Sequence, residues 1–109
     1  MQQQDRSRLQ QALVRLADGD RPAFDDVFDL LWPVDRRFTQ RVLAGMPDAD
    51  DVAQEALMKL FAHVSRFDPS RDALTWSLAI VANECRVVAS RAGVRMRCLR
   101  ATDTSHHRR

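Results

Sequence analysis

Apolar residues recur at three- and four-residue spacing in four separate stretches of this chain, with Gly, Pro and Asp in the gaps. That period lines up side chains on one face of an α-helix, whereas a half-buried strand needs strict alternation. Leu9, Ala12, Leu13 and Leu16 predict a first helix that stops at Asp18-Gly19. Asp20 stands at a capping position with Pro22 just inside the start, and Phe24, Val27, Phe28, Leu31 and Trp32 form the apolar stripe of a second helix. Pro33 falls inside that pattern, Phe38, Val42 and Leu43 resume it, and Gly45-Met46-Pro47 closes it, so one kinked helix is expected.

Asp48 opens a third helix, with Asp50 and Asp51 in the first turn where the helix dipole favours negative charge. Val52, Ala56, Leu57, Leu60, Phe61 and Val64 share its inner half, and Asp51, Gln54, Glu55, Met58 and Ala62 its outer half. Phe67-Asp68-Pro69-Ser70-Arg71-Asp72 breaks the helix. A fourth runs from about Ala73 to Arg91, ending before Gly93, with Leu74, Leu78, Val81, Cys85, Val88 and Ala89 inward. Trp76, Ile80, Asn83, Val87 and Ser90 lie on its other side, flanked by Arg86 and Arg91. The expectation is an all-α, compact bundle of about four helices without a β-sheet. Its third and fourth helices should pack around Leu57, Phe61, Leu78, Val81 and Cys85. One domain over residues 1–92 would be followed over 93–109 by a basic C-terminal extension or the start of an interdomain linker, in which Val94 to Arg100 extends a helix and the last residues fray. Three glycines and no tyrosine in 109 residues also speak against a sandwich or barrel.

The charge is divided along the chain. Up to Cys85 there are ten Lys and Arg against fourteen Asp and Glu, a balance of −4; from Arg86 onward there are seven against one, a balance of +6. Two different partners would explain this, the basic end meeting a polyanion; a solvated acidic surface with a disordered basic tail explains it equally. Uninterrupted apolar runs are only a few residues long, Leu78 to Val81 or a similar short patch, so no membrane span is expected, and Met1-Gln2-Gln3-Gln4-Asp5 lacks the makeup of a secretory leader. Two cysteines without a CxxC pair point to a reduced, cytosolic setting, with Cys85 a small core residue and Cys98 a free thiol.

Catalysis finds little support. No GxSxG, P-loop, HExxH or glycine-rich nucleotide fingerprint occurs, and the carboxylates start helices without a partner base. His63 is isolated, and His106 and His107 with Cys98 lack the spacing of a closed zinc site, so neither a metal nor a cofactor is expected. Two faces stand out instead. On the third helix Met58 and Ala62 interrupt a polar outer face, which is either an acidic-rimmed protein-binding surface or a place where Met58 packs within the domain. On the fourth, Trp76, Asn83 and the arginines either stack on and bond to bases, or are a core tryptophan with ordinary surface polar groups.

Leu16-Ala17-Asp18-Gly19-Asp20 with Ala23-Phe24, Asp48-Ala49-Asp50-Asp51-Val52-Ala53-Gln54-Glu55, Arg66-Phe67-Asp68-Pro69-Ser70-Arg71, Thr75-Trp76 and Ile80-Val81-Ala82-Asn83 follow one another in this order. Together they resemble region 2 of bacterial sigma factors, sigma-70 family, of the extracytoplasmic-function (ECF) type, over roughly residues 9 to 92. The resemblance implies a promoter-recognition domain that binds core RNA polymerase and takes part in transcription initiation, with −10 element recognition and strand opening, and it implies no enzyme. Asp51, Gln54, Glu55 and Met58, with Arg41 nearby, would face the β′ coiled coil of the polymerase. Phe67, Asp68, Ser70 and Arg71, within the loop to Asp72, would form a pocket for a flipped base of the promoter −10 element, non-template strand. Trp76, Asn83 and Arg86 would line the path of that strand, and arginines beyond, Arg91 among them, would hold phosphates. An anti-sigma factor is a further partner the resemblance implies. The alternatives are a sigma-like interaction module that has lost promoter recognition and, far behind, a small helical enzyme.

The sequence also departs from the family pattern. Ser77 and Ala82 stand where many relatives carry an apolar and a basic residue, and at Ala82 this implies a missing phosphate contact. A complete factor of this group carries a second domain whose helix-turn-helix reads the −35 element. The residues after Arg91 are too few to build it, so the expectation is either an isolated region 2 or a naturally short form.

Overall fold

The computed structural model describes residues 1–44 and 46–93. The basic helix expected from Val94 to Arg100, and Cys98, His106 and His107, lie outside the described residues. Four helices account for most of what is described: α1 (Gln3–Ala17), α2 (Ala23–Val42), α3 (Ala49–Ala62) and α4 (Ala73–Ala92), with a single 3-10 turn at Val64–Arg66. No strand occurs among the described residues, and the all-α bundle is as expected. Among the described residues no helix is long and apolar enough to cross a membrane.

The helix ends follow local chemistry, though not always through the residues expected. α1 gives way to Gly19 at φ 97°, a conformation glycine adopts without strain. Asp20 does not cap α2 with its side chain. Its carboxylate pairs with Arg15 at 3.2 Å, while its carbonyl accepts the Ala23 N–H. Asp48 likewise makes no side-chain cap, and its carbonyl accepts from Val52. At α4 the capping is complete: Asp72 accepts from the Thr75 N–H at 2.9 Å and the Thr75 hydroxyl at 2.7 Å, and Gly93 ends the helix at φ 67°. α2 runs unbroken through Pro33. The missing N–H would have bonded the Asp29 carbonyl, and both residues are exposed, so water can take that place.

α2 and α3 run antiparallel, tied by Arg36 and Gln40 on Asp50 at 3.1 and 3.0 Å and by Phe24 stacked on Phe61 at 4.2 Å. α1 packs across α2 and α4, and α4 closes the bundle against α2 and α3. The core has two parts. One joins Leu9, Leu13, Val27, Leu31, Leu57, Leu60, Phe67 and Ala73; the other joins Val42, Leu43, Val52, Ala82, Cys85 and Ala89.

Two faces are rotated from expectation. α2 buries Ala23, Val27, Leu31, Asp35, Thr39 and Val42, so Phe24 and Phe28 stay 42% and 39% exposed as a stacked ladder with Trp32. α4 buries Ala73, Ser77, Val81, Ala82, Glu84, Cys85 and Ala89, while Leu74, Leu78 and Val88 are only half-buried. The expected packing of α3 and α4 around one centre is corrected accordingly. Leu57 belongs with α1, α2 and the first turns of α4, Cys85 with the second cluster, and Leu78 with neither. Small side chains let α4 approach its neighbours closely, and close approach multiplies dispersion contacts along the backbone. The buried polar groups on this face find partners: the Ser77 hydroxyl donates to the Ala73 carbonyl at 2.8 Å, and Lys59 reaches Glu84 at 2.8 Å.

Candidate functional site

The loop between the 3-10 turn and α4 is built from the inside outward. Phe67 is buried and lies 5.0 Å from Trp76, ring to ring, so its side chain is the floor of the loop rather than a surface contact. Trp76, half-buried, presents its other side outward. Asp68 folds the loop on itself, its carboxylate accepting from the Ser70 N–H at 2.9 Å and the Ser70 hydroxyl at 2.8 Å. Those bonds, the backbone one first, hold the Asp68 carboxyl below its ordinary range.

The far end of the loop is held from α1. Arg6 binds Asp72 at 2.8 and 3.4 Å, and with the Thr75 bonds this holds the Asp72 carboxyl down at about 2. The Gln10 side chain donates to the carbonyls of Arg71 at 2.8 Å and Pro69 at 3.4 Å, and accepts from the Ala73 N–H at 2.7 Å. Between loop and helix lies an open hollow of about 480 Å³ lined by Ser70, Arg71, Asp72, Thr75, Trp76 and Ala79. Asn83, exposed, follows Ala79 by one helical turn.

The expected nucleic-acid residues therefore divide. Ser70, Arg71 and Trp76 share the hollow with Asn83 just beyond, Asp68 shapes the turn, and Phe67 supports from below. Arg86 is half-buried on α4. Arg91 lines a different recess, with Asp48, Asp51, Glu55 and Lys59, about 22 Å along the helix axis from Trp76. Ala82 is fully buried, so in this chain its position faces the core and a phosphate contact there is out of reach.

The outer face of α3 is open as expected. Asp51, Gln54 and Glu55 are exposed, and Met58 is 59% exposed, so it does not pack within the domain. Asp50 turns away to Arg36 and Gln40, whose bonds hold its carboxyl below the usual range. Arg41 is exposed in the last turn of α2. One turn beyond Met58 is Phe61, which continues into the exposed Phe24 and Phe28 ladder. Acidic side chains thus border apolar area that a folded monomer normally covers.

Four contributors escaped the sequence reading: Arg6, Gln10, Asp72 as a cap, and Thr75. Asp72 with Thr75 three residues on is a local capping pattern that was there to be read. Arg6 and Gln10 meet partners 59 to 66 residues away and carry no local signal. Cys85 is fully buried, and burial pushes its thiol up to about 12, which leaves it inert at neutral pH.

Comparison with known proteins adds an independent line. Residues 33–92 match the family described as Sigma-70 region 2. The chain is 29% identical over 75 residues to the ECF RNA polymerase sigma factor SigW of Bacillus subtilis (strain 168), an alignment covering 69% of this chain and 40% of that protein. The chain thus corresponds to less than half the length of the curated relative it matches. No solved structure matches.

Proposed function

We propose that this chain, which belongs to the sigma-70 region 2 family in its ECF branch, joins core RNA polymerase through the outer face of α3 and reads promoter −10 DNA at the hollow beside Trp76. The observation that carries the reading is the hollow itself. A loop held at both ends stands over a half-buried tryptophan, with Ser70 and Arg71 in the lining and exposed Asn83 one helical turn beyond Ala79. An unstacked base needs an aromatic surface, edge-directed polar groups and exclusion from its neighbours, and those are the parts present.

In this reading Trp76 supplies the stacking surface, Ser70 and Asn83 address base edges, and Arg71 and Arg86 attract the backbone. Phe67 and Asp68 keep the loop in shape. Asp51, Gln54, Glu55 and Met58, with Arg41 at their margin, meet a basic segment of the β′ coiled coil. Met58 supplies the apolar centre and the carboxylates steer the approach. The role is that of a transcription initiation factor working in the cytoplasm, not of a catalyst, and an anti-sigma protein would compete for the same exposed surfaces.

The test pairs the chain with polymerase core and a non-template −10 single strand, matched or scrambled. Asn83→Ala should lose the preference for the matched strand and keep its salt dependence. Unchanged preference would return Trp76 and Asn83 to a purely structural role.

A further inference from the structure

The loop that shapes the hollow is held by a helix outside the residues matched by the family. Residues 33–92 carry the match, whereas Arg6 and Gln10 lie on α1, one turn apart and on one face. We propose that Gln10, assisted by Arg6, is a positioning residue for base recognition, setting the height of the 69–72 loop over Trp76. This inference rests on the base-reading role proposed above.

The geometry of Gln10 carries it. One side-chain amide satisfies three backbone groups of the same short segment: its NH2 donates to the carbonyls of Arg71 and Pro69, and its carbonyl accepts from the Ala73 N–H. The Ala73 N–H belongs to the first turn of α4 and has no acceptor within the helix, so Gln10 fills a place the helix leaves open. Only a side chain that both donates and accepts can do this. A carboxylate would keep the Ala73 bond and repel the two carbonyls, and a short apolar side chain would lose all three bonds. Arg6 adds a second tie at the adjacent residue through Asp72, which already caps α4. Two of the residues lining the hollow, Arg71 and Asp72, are therefore bonded directly to α1, and Ser70 stands between them and Pro69. A shift of α1 would move the loop relative to Trp76, whose own position is set by Phe67 beneath it.

Holding the loop is distinct from stabilising the fold, and the two separate in Gln10→Glu. This variant keeps the acceptor for Ala73 and hence the start of α4, while displacing the carbonyls of Pro69 and Arg71. Gln10→Ala removes both. The full chain, assembled with polymerase core, is titrated with matched and base-substituted −10 single strands, and amide exchange is followed at Ala73. Both variants should lose about three- to tenfold of the matched-over-substituted ratio, the scale of a small lost hydrogen-bond network. The salt slope should stay that of the unmodified chain. Ala73 exchange should quicken in Gln10→Ala and stay slow in Gln10→Glu. A partly unfolded population lowers binding to both strands alike, so it leaves the ratio unmoved. A native ratio in Gln10→Glu overturns the inference and reduces Gln10 to a support for the helix start. An unmodified chain that does not distinguish the two strands overturns the base-reading role, and this inference falls with it.

Discussion

Asp35 shows how far one side chain can depart from its apparent class. Its sequence neighbourhood, between Pro33 and two arginines, is that of a solvated helix face, yet the side chain is 1% exposed and its Oδ1 has no hydrogen-bond partner. Burial pushes its carboxyl up to about 7. Because the folded chain holds the proton more tightly than the unfolded chain, the fold is fully stable with respect to this group only below the ordinary carboxyl range near pH 4. It loses stability as pH rises from there toward about 7. Asp35→Asn should flatten that part of the melting profile and stabilise the protein above pH 7 by roughly 1–3 kcal/mol. Melting temperatures from pH 4 to 8 check this, and a variant with the native slope would refute it. Asp72 has the opposite sign. Its depressed carboxyl contributes stability above about pH 4 that is lost as pH falls through about 2, so Asp72→Asn should flatten the acid limb.

The helices themselves were legible, and their faces less so. Period, punctuation and the Gly93 terminator located all four, because hydrogen bonding within a helix is local. Which side turned inward depended on what stood opposite. α3 kept its expected outer face, so reversing Asp51 and Glu55 to Lys should weaken binding to a β′ coiled-coil fragment by a few kcal/mol at most, with the helical spectrum and melting temperature nearly unchanged. Unaltered affinity in that double variant would remove the acidic face from the mechanism. α4 turned its small residues inward and left its leucines on the flank, since the tightest approach outweighed the largest apolar side chains. Replacing the Asp72 cap with Ala should cost about 1 kcal/mol, read from denaturant melts.

Packing across the bundle ranks the apolar residues in a way spacing did not. Leu57, buried between α1, α2 and α3, should cost about 2–5 kcal/mol on replacement by Ala, and half-buried Leu78 distinctly less. Equal losses would mean that α4 is rotated from the position described. Residues 67–72 and the exposed α3 carboxylates could be recognised from residue order alone, because turn chemistry and helix periodicity are short-range. Family resemblance depends on that same order. The tie from Gln10 and Arg6 to the loop, the burial of Asp35 and Ala82, and the placing of Arg91 beside the α3 carboxylates depended on elements distant in the chain. No local pattern encodes which helix will lie against which loop. That choice is made when the bundle closes, by the fit of whole faces and by which backbone groups are left needing a partner.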